Sequence, residues 1–202
     1  MPLQGFFQRA FFALFLLSTL LFGVTQNFIL LNENILPQKT IEKINAIGNE
    51  LYQKTGVGVF VAVVKKMPTK KIVDFEKQLT KKLQAPYVLL TLSVQDKKVD
   101  IVSSKDLESS FDKEEILSPL PWKGSIIPLL TAHFKNQNAA IEAAILNGYS
   151  EIAEQIAKYK NVNLKEAIGN TNRNIYYWLR ILFYSIIALI VLNFIYRRYI
   201  KG

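Results

Sequence analysis

Apolar positions in the middle of the chain follow two periods, one helical and one extended. A helical stripe comes first and recurs every three to four residues, at Ile41, Ile44, Ile47 and Leu51. Residues 56–64 follow with the run Gly-Val-Gly-Val-Phe-Val-Ala-Val-Val, which is apolar on both faces. A strand of that kind must be covered on both sides, so the pattern predicts a central strand of an α/β sheet.

The alternation of helical and extended segments continues beyond this strand. Helical periodicity returns over residues 69–83, and an apolar strand follows at 86–94. The turn 95–98 then leads into an alternating strand at 99–103, which predicts a hairpin. Strand, helix and strand in this order favour a right-handed parallel crossover, and the hairpin adds an antiparallel edge. The run 28–31 is either a further short edge strand or the exit of the preceding segment.

A long helix is predicted to close the domain. Residues 138–160 carry an apolar stripe at Ile141, Ile145, Ile152, Ile156 and Tyr159, with Gly148 on the same side. A shorter helix is expected over residues 125–134. We therefore predict an α/β fold, a three-layer sandwich in which helices cover a small mixed sheet.

Two long apolar segments flank this domain and predict two transmembrane helices. Residues 6–24 contain one charge, Arg9, and residues 175–196 begin with an aromatic cluster and precede a basic end. Both are long enough to span a bilayer. The first is either a cleaved signal peptide or an uncleaved signal anchor, and the lack of small residues at a cleavage site favours the anchor.

These segments divide the chain and orient it. We predict a signal anchor at 1–26, the α/β domain at 27–160, a polar tether at 161–174, a transmembrane helix at 175–196 and a basic cytoplasmic tail at 197–202. The positive-inside rule places both termini in the cytoplasm. The protein is then expected in the inner (plasma) membrane, with its main domain periplasmic or extracellular.

The basic charge of the chain belongs largely to its ends. The net charge is +9, yet residues 26–174 hold all 16 Asp and Glu and only 20 of the 25 Lys and Arg. The remaining basic residues lie in or beside the apolar ends, which indicates membrane topology instead of a nucleic-acid surface. We expect no nucleic-acid partner.

Several kinds of chemistry are excluded by the residue types. The chain has no cysteine, which rules out disulfides, Cys-zinc sites and thiol nucleophiles. His133 is the sole histidine, so a histidine cluster for a metal is impossible. Gly56 and Gly58 end a helix and open a strand, whereas a dinucleotide fingerprint needs the reverse order. No catalytic set is predicted.

One acidic stretch is a candidate cation site. Asp106, Glu108 and Asp112 lie in a polar segment of the kind that supplies oxygen ligands to calcium or magnesium. The stretch lacks EF-hand spacing. The alternative is a solvated loop that also caps the next helix.

The order of these motifs resembles the TPM domain family over residues 32–160. The segments that carry the resemblance are Asn-Glu-Asn-Ile-Leu-Pro at 32–37, the Thr-Gly that ends the helix before strand 57–64, the hairpin with Asp-Lys-Lys at 96–98, Leu-Glu-Ser-Ser-Phe-Asp at 107–112 and the helix 138–160. Two positions depart from the family pattern. Ser104 and Asp106 replace glycines, and Asn32 or Glu33 fills an early acidic position.

The resemblance implies an extracytoplasmic α/β sandwich, often tethered to a membrane. It also implies roles in the maintenance or assembly of membrane complexes, and in some members acid phosphatase activity or calcium binding. We therefore expect an accessory subunit that binds an integral membrane protein complex, and whether it is also an enzyme is left open. The alternative is a divalent-metal-dependent acid phosphatase using carboxylates such as Asp106 and Asp112, and a third possibility is a purely structural transmembrane spacer.

Overall fold

The centre of the protein is a four-stranded sheet in the order β1-β2-β3-β4. The computed structural model describes residues 26–132, 136–168 and 181–193. Its strands are β1 (Ile29–Asn32), β2 (Gly58–Val64), β3 (Tyr87–Ser93) and β4 (Lys98–Ser103). β1, β2 and β3 are parallel, and β4 runs antiparallel to β3. The predicted small mixed sheet is confirmed, with β2 paired on both sides and β1 at an edge.

The helices of the described chain lie close to the predicted ones. They are α1 (Gln38–Thr55), α2 (Ile72–Thr80), α3 (Lys113–Ile116), α4 (Ile127–Thr131), α5 (Gln137–Tyr159) and α6 over residues 181–193. A short 3-10 turn, Lys105–Leu107, precedes α3. α2 is shorter than predicted at both ends, and α4 begins two residues later than predicted.

The turn from α1 into β2 needs its glycine. Gly56 has φ 73°, in the left-handed region that side chains disfavour, and its N–H donates to the Tyr52 carbonyl at 2.8 Å. This bond closes the last turn of α1 and directs the chain into the sheet. The interpretation of the glycines as a tight helix-to-strand turn is confirmed.

α1 and α5 cover one face of the sheet and enclose the main core. They pack closely because Gly48 on α1 leaves room for the Tyr149 hydroxyl and the Phe28 ring. Tyr149 is fully buried, and its hydroxyl donates to the Val59 carbonyl at 2.9 Å. The predicted stripe of α5 is wrong at its end, since Tyr159 is 53% exposed. The stripe ends earlier because the helix runs past the edge of the core.

α2 covers the opposite face alone. Its Phe75 forms a small apolar cluster with Val64 and Met67, and α2 contacts β3 and β4. Helices therefore lie on both faces of the sheet, which confirms the α/β layering expected from the doubly apolar β2.

The first part of the predicted polar tether lies against α1 and α5. Val162 packs on the main core, and the Glu50 carboxylate accepts hydrogen bonds from the N–H groups of Lys165 and Glu166, both at 2.8 Å. Burial raises the pKa of Glu50, but these bonds and one from Lys54 hold it below its usual value. Composition does not reveal this attachment, because backbone N–H groups make it.

The predicted membrane spans lie largely outside the residues that the structure describes. Within residues 26–132, 136–168 and 181–193, no helix combines the length and apolarity needed to cross a membrane. α6 lies inside the predicted span 175–196, whose two ends fall outside the described residues, as does the predicted anchor up to residue 25. The two transmembrane helices and the domain boundaries stay predictions.

Candidate functional site

The carboxyl ends of β1, β2 and β3 meet at one edge of the sheet because these strands are parallel. Ligands of α/β proteins commonly bind outside this edge. Two of the segments that follow the strands here are the loop 65–71 between β2 and α2 and the turn 94–97 between β3 and β4.

The two segments are hydrogen-bonded to one another. The Gln95 N–H donates to the Lys65 carbonyl at 2.8 Å. The Asp96 carboxylate accepts from the Ser93 hydroxyl at 2.6 Å and from the Met67 N–H at 2.9 Å. These two bonds, with smaller contributions from nearby lysines, hold the pKa of Asp96 below its usual value. Asp96 is thus an ionised link that fixes both segments in place.

β1 is tied to the same edge by its own acidic residue. The Glu33 carboxylate accepts a hydrogen bond from the Lys65 N–H at 2.7 Å. Asn32 has a local structural role, since its side-chain oxygen accepts from the Ile35 and Leu36 N–H groups. The two residues at the family's early acidic position therefore hold turns of the backbone.

Six exposed lysines surround this edge, and we call them the lysine edge: Lys65, Lys66, Lys70, Lys71, Lys97 and Lys98. The Lys98 ammonium donates to the Lys70 carbonyl at 3.1 Å, which adds a further link between the loops. Ion pairs in the described part of the chain involve Lys43, Lys54 and Lys113, and none involves these six. The carboxylates of Glu33 and Asp96 lie at the same edge, and the six lysines leave it with an excess of positive charge.

The acidic stretch lies at the other end of the strands. Ser104 follows β4, and its N–H donates to the carbonyl of Tyr87 at the amino end of β3. Glu108 and Asp112 line a shallow cleft of about 940 Å³ together with Glu154 and others from the end of α5. Asp106, in the 3-10 turn, is not among the residues that line it.

Asp112 is used as a helix cap. Its carboxylate accepts from the Glu115 N–H at 2.8 Å at the start of α3, and its own N–H donates to the Gln155 side chain at 2.7 Å. The alternative expected from the sequence, a loop that caps the next helix, is confirmed for this residue.

The three candidate ligands are not brought together as a metal centre. Across the described residues, no three His, Cys, Asp or Glu side chains are grouped so that they could hold a metal ion. The calcium or magnesium site at Asp106, Glu108 and Asp112 stays a prediction. His133 lies outside the described residues.

The lysine edge was not predicted from the sequence. The Lys65-Lys66 pair marks the end of β2, and Lys97-Lys98 belongs to a turn, so each has a local explanation. The signal that could have found the site is topological, because loops after two adjacent parallel strands lie at the same edge.

Together these features define a class of protein: an α/β domain on a small mixed sheet, with a lysine-rich surface at the carboxyl edge and an acidic cleft at the other. The TPM domain family profile matches residues 30–155, more than half of the chain. The protein belongs to the TPM domain family, and the resemblance expected from the sequence is confirmed.

No curated protein matches the chain. Among solved structures, the chain is similar to the NMR structure of BA42 protein from the psychrophilic bacterium Bizionia argentinensis, with 17% identity over 68% of this chain and 96% of that one and a TM-score of 0.45.

Proposed function

We propose that the protein is a membrane-anchored, extracytoplasmic accessory subunit that binds and maintains an integral membrane protein complex. Membership of the TPM domain family supports a small α/β module. The observation that carries the proposal is the lysine edge, a fixed surface of six exposed lysines without ion pairs among the described residues. Such a surface attracts a partner with exposed carboxylates and orients it on encounter.

α6 supports the membrane part of the proposal. Large apolar side chains are exposed all around it, at Ile181, Leu182, Phe183, Tyr184, Ile186, Ile187, Leu189, Ile190, Val191 and Leu192. A helix that is apolar on every face needs an apolar environment, such as a bilayer. With the apolar segment 6–24, this favours two anchors, both termini in the cytoplasm and the domain across the inner (plasma) membrane.

The position of Gln26 favours a protein partner over lipid headgroups for the lysine edge. Gln26 is fixed to Asn49 by two hydrogen bonds, at 2.9 and 3.1 Å, and it precedes β1 at the amino edge of the sheet. An anchor at residues 6–24 would therefore hold that edge near the bilayer. The lysine edge lies about 20 Å away along the strands, beyond the screening length of about 8 Å at physiological salt.

Crosslinking of the full-length protein in its native membranes tests this function. We expect a stoichiometric membrane-protein partner with the wild type and much less of it with the variant Lys66→Ala, Lys71→Ala, Lys97→Ala. The matched control removes three exposed lysines elsewhere, Lys39→Ala, Lys105→Ala and Lys123→Ala. A lone monomer without a captured partner, or equal loss in both variants, contradicts the proposal.

A second candidate, a metal-dependent phosphatase, is favoured by one observation. Glu108 and Asp112 line the same cleft. The test is hydrolysis of a phosphomonoester by the full-length protein at acidic pH, with and without calcium or magnesium. Cation-dependent activity that is lost in Asp112→Asn and Asp106→Asn would support this candidate, and activity that survives both substitutions would exclude these carboxylates.

A further inference from the structure

α2 carries an acidic residue on the side that faces the sheet. Its buried stripe consists of Phe75 and Glu76, with Ile72 and Leu79 partly buried. The exposed fraction of Glu76 is 1%, so a carboxyl group replaces the apolar side chain expected at this helical position.

The carboxyl group of Glu76 lies beside the Thr91 hydroxyl, but the two groups are poorly aligned for a hydrogen bond. Neither of its oxygens makes a bond of normal geometry, and the same holds for the nearby Thr91 hydroxyl on β3. A buried carboxylate without hydrogen bonds is unfavourable, whereas the protonated form carries no net charge. The site therefore favours a bound proton.

The charged groups around Glu76 come from two other elements. Asp100 on β4 stands opposite Thr91, and Lys113 of α3 pairs with Asp100 at 2.6 Å. Lys98, also on β4, donates its ammonium to the Lys70 carbonyl. Burial first, and then the negative charge of Asp100, raise the pKa of Glu76 to about 7, although Thr91 and Lys113 act in the opposite direction.

We propose that Glu76 is a proton-binding site that controls the seating of α2 on the sheet. With the proton bound, α2 stays packed over β3 and β4. With the proton lost, the charged carboxylate favours a released α2 in which it meets water.

The direction of the pH dependence follows from linkage. A glutamate in released α2 has its ordinary pKa of 4.5, while the seated one has a pKa of about 7. Between these values the seated form binds a proton that the released form does not, so raising the pH favours release. Above the higher value both forms are ionised, and the effect levels off.

Seating of α2 also controls the lysine edge. The loop 65–71 carries four of its six lysines and leads directly into α2 at Ile72. Release of α2 would free one end of this loop and loosen the spacing of the lysines. This consequence for partner binding rests on the proposed function, whereas the seating of α2 does not.

Amide hydrogen exchange on the full-length protein in detergent micelles tests the seating directly. Peptides covering α2 are compared at about pH 5.5 and about pH 8, after correction for the intrinsic exchange rate. From the two pKa values, we expect protection of α2 to fall about 25-fold at the higher pH. Glu76→Gln should abolish this change, and equal protection of wild-type α2 at both pH values would overturn the proposal.

Two further variants keep the test decisive. Asp74→Asn removes an exposed carboxylate of the same helix and should retain the full pH dependence. If Glu76→Gln does not fold, Asp100→Asn replaces it. The fall in protection should then be smaller and have its midpoint at lower pH, because Asp100 no longer raises the pKa of seated Glu76. An unchanged midpoint in Asp100→Asn would contradict the proposal. Partner crosslinking is measured separately, so a failure of the proposed function leaves the exchange result intact.

Discussion

On one face of the sheet, called here the thick face, α1 and α5 enclose a continuous apolar core. On the other, the thin face, the short helix α2 lies over a cluster of three buried apolar side chains. The first face buries long helices in close contact, and the second buries a carboxyl group. Hydrophobic stabilisation scales with the apolar area removed from water. We infer that the first face sets the global stability of the domain, and that the second can open without unfolding it.

The largest expected effect is a cavity in the thick face. Ile145 on α5 is fully buried in the main core. Ile145→Ala should lower the free energy of global unfolding by about 3 kcal/mol, because it removes apolar contacts and leaves a void. Chemical denaturation of the full-length protein in detergent measures this.

The matched change on the thin face is Leu79→Ala, where the side chain is only partly buried. We expect the free energy of global unfolding to fall by about 1 kcal/mol or less. Faster amide exchange should be confined to α2. A loss as large as that of Ile145→Ala would remove the distinction between the two faces.

The next effect concerns the buried carboxyl of the thin face. Glu76→Leu fills the site with an apolar side chain that has no proton to lose. Stability relative to the wild type should rise by about 2 to 3 kcal/mol between pH 5 and pH 8, since the wild type loses stability as the pH rises toward the raised pKa of Glu76. Thermal unfolding at several pH values measures the difference, and parallel curves for the two proteins would contradict it.

A smaller effect tests the close contact of the thick face. In Gly48→Ala the added methyl group would collide with the Tyr149 hydroxyl and the Phe28 ring. Overpacking of this kind should lower the free energy of unfolding by about 2 kcal/mol. The double variant with Tyr149→Phe should cost less than the sum of the two single variants, because the hydroxyl that obstructs the methyl group is absent. Strict additivity would show that the two residues do not constrain one another.

The sequence predicted the sheet well because β2 is apolar on both faces, which few other structures tolerate. Glu76 could not be found in this way, since an acidic residue on an amphipathic helix is normally assigned to the solvent side. Its burial depends on how α2 packs against the β3–β4 hairpin, and helical periodicity does not reveal this tertiary contact. The lysine edge was missed for a related reason, as only the parallel pairing of β2 and β3 brings Lys66 and Lys97 to one place. The acidic stretch was visible as composition, and the cap made by Asp112 was expected as the alternative to a cation site.

The smallest expected effect on stability distinguishes Tyr149 from Tyr159. The apolar stripe predicted for α5 included the exposed Tyr159 and left out the buried Tyr149. Tyr149→Phe removes the hydrogen bond to the Val59 carbonyl and should cost about 1 kcal/mol, because the ring stays packed while a buried acceptor loses a donor. Tyr159→Phe is the control, and it should have an effect near zero because its side chain is half exposed at the end of α5. Equal costs for the two changes, measured by chemical denaturation, would mean that the buried hydroxyl contributes nothing. The thick face would then be stabilised by its apolar packing alone.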